Sequence, residues 1–277
     1  MKFLVQNYSS EYSTQALYLS RCLNEQEEYS SVLWNNSCSL YDIMDKEKPD
    51  YFITSAFMLS KDFVYYVNSS NFVPRDIKLL LNIDGVSQDV VNSLENSLVS
   101  NNIKCPFFFS NNHNIKTNKI RLVNINNAYD VYLSQKSTIQ YNIGKAIIIN
   151  SKEQATKYDG SYHILAINND LSEVADIVLP ESRLCALYHN YDEIIVHIED
   201  IVPQAFFNAI MYGNKVYYKS SNKEVKTSIE KLLRTDASLD YDDANRQTDF
   251  SEIKKTVKER HSSYNRVKTL LSQLPKD

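Results

Sequence analysis

Two acidic residues at the end of an apolar run carry the most chemistry in this 277-residue chain. Residues 194–198 read Ile-Ile-Val-His-Ile and lead into Glu199-Asp200, then Ile-Val-Pro-Gln, then an apolar stretch that stops at Gly213. A second apolar run follows at 216–218. This order predicts a buried strand, an acidic loop, a short helix and a second buried strand. Parallel β/α domains hold ligands at the carboxyl ends of strands, beside helix N-termini whose N–H groups favour anions. A carboxylate there, from Asp200 or its neighbour Glu199, accepts hydrogen bonds from sugar hydroxyls. Eight residues on, Asn208 would sit on the following helix within reach of a ribose. His197, Val202 and Gln204 would flank the same loop. Gly213 is expected to end the helix with a positive φ. An ordinary helix between parallel strands, with a solvated acidic loop, has the same spacing, so spacing alone leaves both readings open.

Other groups are candidates by position. Asp84, followed by Gly85, ends the strongly apolar run 76–83 and could serve as general base for an attacking hydroxyl. The same dipeptide also makes an ordinary β-turn. Ser9, Ser10, Glu11 and Tyr12 follow the first apolar run, and Ser10 is taken as a further contact to the bound ligand. His197 is either a satisfied core histidine or a contact to phosphate; His261 falls on an apolar helix face, and His113 in an Asn-rich, solvated loop. No HExxH or Cys/His spacing points to a metal. Asp240-Tyr-Asp242 has D-x-D spacing but lies in an acidic connection rather than after an apolar strand. With 4 glycines, the chain contains neither G-x-G-x-x-G nor a P-loop.

The elements that must position these residues alternate. Strands are predicted at 2–6, 31–34, 50–55, 76–83, 103–109 and 120–125, with a further one at 131–133. Helices are predicted at 14–24, 39–47, 59–68 and 87–100. The pattern restarts with strands at 144–150, 163–168, 175–179, 193–198 and 216–218, separated by helices at 180–189 and 204–212, with another at 221–233. This alternation predicts an α/β protein of two Rossmann-like domains, at 1–140 and 141–250, with the active site between the halves. A long amphipathic helix is predicted over 251–274, with Ile253, Val257, His261, Tyr264, Val267, Leu271 and Leu274 on its apolar face. It is assigned to a C-terminal segment, 251–277, packing across both domains.

Composition bounds the class. The net charge of -4 argues against a broad phosphate-binding surface. The four scattered cysteines are read as free thiols in a reducing compartment, and a cytoplasmic location is expected. No apolar run approaches the roughly 20 residues that span a bilayer. Many Asn, Ile, Lys and Tyr suggest AT-rich coding sequence, as in some viruses and low-GC bacteria.

Val202, Pro203, Phe206, Phe207, Ala209, Gly213 and Val216, followed by His261, Tyr264, Arg266 and Val267, make a pattern. After two Rossmann-like halves, it resembles the GT-B glycosyltransferases, especially the CgeB-like branch and the family 4-like C-terminal half. The likeness covers most of the chain in architecture and about 176–218 and 258–271 at motif level. It implies transfer of a sugar from a nucleotide-sugar donor to a hydroxyl acceptor, without a metal ion or a cofactor beyond the donor. The C-terminal half would bind the donor through Glu199, Asp200, Asn208 and the helix start; the N-terminal half would hold the acceptor, a glycan or other hydroxyl compound. The family commonly has Glu at both ends of the eight-residue spacing and Arg before the first Phe. Here Asp200, Asn208 and Ala205 occupy those positions. A neutral Asn lacks the charge-assisted bond of a carboxylate, roughly twice as strong. Lys145, Lys152 and Arg183 are candidates for the diphosphate, and 7–13 replaces the glycine-rich loop. Two further readings stand beside the transferase: an inactive binding or structural scaffold of the same fold, and a viral-type transferase acting on nucleic-acid bases. The acidic charge counts against the last.

Overall fold

The computed structural model describes residues 1–10, 13–69, 75–112, 114–133, 144–158, 160–234, 238–243 and 249–275. Glu11, Tyr12 and His113 lie outside them. The chain forms two compact units. One holds Met1–Ser9, Gln15–Asn126 and Arg266–Asp277; the other holds Ser10–Thr14 and Asn127–Asn265.

The first unit runs β1 (Lys2–Gln6), α1 (Gln15–Asn24), β2 (Ser30–Trp34), α2 (Leu40–Glu47), β3 (Tyr51–Ser55), α3 (Lys61–Asn68), β4 (Lys78–Asn82), α4 (Gln88–Ser100), β5 (Phe107–Ser110) and β6 (Leu122–Asn124). Its six strands pair in parallel in the order β2-β1-β3-β4-β5-β6. The strands are continuously apolar because both faces are covered, as Leu79, Leu80 and Leu81 illustrate, all buried. Ser39 Oγ caps α2 by accepting from Asp42 N, and Ser87 Oγ caps α4 by accepting from Val90 N. Order reverses between β1 and β3, which makes that edge a switch point.

The second unit runs β7 (Lys145–Ile149), α5 (Lys152–Ala155), β8 (Tyr162–Ala166), β9 (Ile177–Val178), α6 (Glu181–Leu184), β10 (Glu193–His197), α7 (Gln204–Tyr212), β11 (Lys215–Lys219), α8 (Lys223–Leu233), α9 (Phe250–Arg260) and α10 (Ser263–Ser272), whose chain passes to the first unit at Arg266. The sheet order is β11-β10-β7-β8-β9, all parallel. Here the order reverses between β7 and β10. Phe206 and Phe207 of α7 pack with Val196, Val216, Ile229 and Ile253 in the larger core of this unit.

Both units are therefore Rossmann-like α/β domains, as expected, but several details differ. The units meet at 126/127 instead of 140/141, because Tyr129 pairs with Ser262 and Asp130 bonds to Thr14 and Asn208, all in the second unit. The C-terminal helix is two helices. His261 leaves helical geometry (φ -119°, ψ 30°), and its carbonyl accepts from Tyr129 N at 2.9 Å while its ring stacks on Phe207. Residues 131–133 form a turn, and the 180–189 helix shortens to α6 followed by a 3-10 stretch, Cys185–Asn190. Gly213 has φ -85°, so positive φ is not its reason. A Cβ there would lie 2.7 Å from the Ala209 carbonyl oxygen, so close approach is.

Candidate functional site

The carboxyl edge of the second sheet, at the β7/β10 switch point, is built from side chains that tie adjacent loops. Asn150 follows β7, and its Nδ2 donates to the His197 carbonyl at 3.0 Å. Gln154 of α5 bridges the two loops: its Oε1 accepts from Asn150 N at 2.7 Å, and its Nε2 donates to Glu199 Oε1. Asn222, the cap of α8, donates from Nδ2 to the Glu199 carbonyl at 3.2 Å. Glu199 is thus held by its side chain and its backbone. Asp200 beside it is exposed and makes no hydrogen bond among the described residues. The N-cap of α7 is Pro203, which offers no side-chain bond, so no side chain neutralises the positive end of that helix.

His197 ends β10 and is buried, its Nε2 2.5 Å from the Tyr158 hydroxyl. Burial, with Lys219 and Lys157 adding to it, pulls its pKa down to about 4, so the ring is neutral at physiological pH. Lys219 stands over the rings of Tyr158 and Tyr241 at 5.9 and 5.7 Å and pairs with Asp242 at 3.2 Å. Sequence reasoning missed Asn150, Gln154, Lys157 and Lys219. Asn150, Gln154 and Lys157 follow β7 and Lys219 ends β11, which was the available signal. Of the cations it did name, Lys145 starts β7, at the opposite edge from the loop, where it pairs with Glu193 at 3.4 Å. Lys152 pairs with Glu173 at 2.6 Å, and Arg183 is exposed.

Asn208 and Gln204 do not join this edge. Asn208 is 0% exposed; its Nδ2 donates to Glu181 Oε1 at 2.8 Å and its Oδ1 accepts from Asp130 N at 3.0 Å. Glu181 Oε2 accepts from the Tyr188 hydroxyl at 2.8 Å. Gln204 exchanges two bonds with Thr14, whose Oγ1 donates to Asp130 Oδ2 at 2.6 Å. The whole set is a buried polar network in which both amides are committed internally. Both polar atoms of Asn208 are buried and bonded internally, so a ribose reaches them only if this network opens. Burial pushes the Glu181 carboxyl up to about 7 against the bonds from Asn208 and Tyr188. Val202 is likewise structural: it is buried, and its carbonyl accepts from Asn127 Nδ2 at 3.0 Å. Ser10 is exposed and closes a short antiparallel bridge with Ser13, away from any described contact with Glu199 or Asp200.

In the first unit, Asp84 follows β4 at the carboxyl edge. Its Oδ1 accepts from Ser110 Oγ at 2.8 Å and Asn111 N at 2.7 Å, and its Oδ2 accepts from Asn82 Nδ2 at 3.0 Å. The carboxylate therefore clamps the ends of β4 and β5. Each carboxylate oxygen takes about two hydrogen bonds, so Oδ2 retains room for one more donor. Gly85 has φ +77°, which supports the turn reading.

Asp240 pairs with Lys226 and Asp242 with Lys219, so the D-x-D pair is engaged in ion pairs. Among the described residues, no group of three or more His, Cys, Asp or Glu could hold a metal ion. The cysteines are free thiols, with Cys22 and Cys185 buried. No helix among the described residues is long and apolar enough to cross a membrane.

No family model and no curated protein matches the chain. Among solved structures it is similar to the spinosyn forosaminyltransferase SpnP, at 12% identity over 98% of both chains with a TM-score of 0.44. It is also similar to MnaA of S. aureus in a UDP co-structure, at 9% identity over 97% of this chain and 90% of that one, TM-score 0.44. A UDP-N-acetylglucosamine 2-epimerase matches at 9% identity over 98% and 94%, TM-score 0.45. At that level of similarity no residue of this chain inherits a role from them.

Proposed function

We propose that the chain transfers a sugar from a nucleotide-activated donor to a hydroxyl acceptor. The observation that carries this is the β7/β10 switch point, where Asp200 is exposed without an internal partner beside a Glu199 held by Gln154 and Asn222. Asp200 accepts from hydroxyls of the donor, and Glu199 is oriented to do the same. The uncapped start of α7 and the cations Lys219 and Lys157 supply positive potential for the diphosphate. For an acceptor hydroxyl bound on the first unit, Asp84 Oδ2 serves as the base that accepts its proton. Asn208 and Gln204 support the fold of the donor unit and do not touch the donor.

The test is nucleotide release from UDP-glucose, UDP-N-acetylglucosamine and GDP-mannose. Slow donor hydrolysis, reduced at least about tenfold by Asp200→Ala in a folded variant, is the expected result. Release that is indifferent to Asp200 would remove the donor assignment.

A second reading is a binding scaffold without turnover. The sealed Asn208 and the three donors on Asp84 favour it. Nucleotide binding with no release from any of the three donors would select it.

A further inference from the structure

Phe57 is 70% exposed, in the turn that follows β3 at the carboxyl edge of the first sheet. Its turn is fixed: Ala56 N donates to the Asn82 carbonyl at 2.7 Å, and Met58 N and Leu59 N both donate to the Ser55 carbonyl at 3.0 Å. The ring is therefore not left outside by a loose loop. Its edge lies over Gly85, where an added Cβ would sit 3.4 Å from Phe57 Cε2. A ring kept in water forgoes the stabilisation that burial would give it. Next to Gly85 stands Asp84, with its one open oxygen site. Asn111, which donates its N–H to Asp84, turns its side-chain oxygen inward to a place with no hydrogen-bond partner. Turning that half-exposed side chain outward breaks no bond at the oxygen, so a ligand donor can recruit it cheaply.

We infer that Phe57, Asn111 and Asp84 form a platform for a saccharide ring, which would be the acceptor. An aromatic face carries negative quadrupole charge and attracts the polarised C–H face of a pyranose. Two oxygen acceptors beside it match hydroxyl donors. The assignment of this sugar as acceptor rests on the transferase reading; its binding does not. A nucleobase would also stack on the ring, and the test separates the two.

Saturation-transfer NMR on the full chain uses maltotriose, chitotriose and thymidine as probes, each with and without UDP. Saturation of ring C–H protons of at least one trisaccharide is expected. It should fall at least about fivefold in Phe57→Ala, recover in Phe57→Trp and weaken in Asn111→Ala, with circular dichroism unchanged. Calorimetric UDP binding should be unaffected by these three changes. The inference is overturned if neither trisaccharide is saturated, if Phe57→Ala leaves the signal intact, or if only thymidine depends on Phe57. Sugar binding in a protein that binds no UDP would leave the platform standing and remove the donor site instead.

Discussion

Glu181→Gln is the sharpest perturbation of the buried network. In the folded protein the Glu181 carboxyl is pushed up to about 7 by burial, against an ordinary value of 4.5. A raised folded pKa means the native state holds the proton more tightly than the unfolded chain does. The stabilisation is therefore complete below pH 4.5 and is lost as pH rises through about 7. A shift of this size corresponds to about 3 kcal/mol, of which about 2.5 kcal/mol is lost between pH 5 and 8. Gln at 181 stays neutral throughout; it still accepts from Asn208, while Tyr188 reverses its role and accepts from the new amide. Urea unfolding of both proteins, followed by far-UV circular dichroism at constant ionic strength, measures the difference. The variant should gain on the wild type by about 2–3 kcal/mol between pH 5 and pH 8. Stability curves that stay parallel within about 0.5 kcal/mol would refute the reasoning that Glu181 is sealed from water and without a cation.

Three further outcomes are expected. Asn208→Ala leaves a carboxyl oxygen and the Asp130 N–H unsatisfied, which costs about 2–5 kcal/mol in unfolding experiments, yet nucleotide affinity in the folded protein is unchanged. Gly213→Ala lowers the melting temperature, because the new Cβ meets the Ala209 carbonyl oxygen at 2.7 Å and Ile194 Cδ1 at 3.1 Å; the cost is about 1–3 kcal/mol. A neutral or raised melting temperature would mean that the carbonyl yields. His197, pulled down to about 4, shows no titration of its ring carbons by NMR between pH 5.5 and 8, whereas a mid-range transition would mean the strand end is wet.

Most strands were legible because their apolar runs are buried on both faces, as in β3 and β5, a pattern that depends only on local composition. The single predicted C-terminal helix failed for a tertiary reason. The 3.6-residue period continues through His261, but pairing of His261 and Ser263 with Tyr129 and the stacking on Phe207 break the helix there. That Glu199 and Asp200 lie just past the end of a strand was legible from the apolar run alone. The burial of Asn208 was not legible, because spacing tells which helix carries a side chain, not which face it occupies. Its partners, Glu181 and Asp130, lie 27 and 78 residues away. The clamp on Asp84 was hidden likewise, since Ser110 and Asn111 approach it from the next strand of the sheet, 26 and 27 residues away.

The most direct test of the central claim is calorimetric titration of the full chain with UDP, GDP, dTDP and ADP. The account predicts saturable binding of at least one diphosphate. That affinity falls by about tenfold or more, about 1.4 kcal/mol, in Asp200→Ala and holds in Asn208→Ala. Heat no larger than dilution for all four at millimolar concentration, or equal affinity in Asp200→Ala, would contradict it.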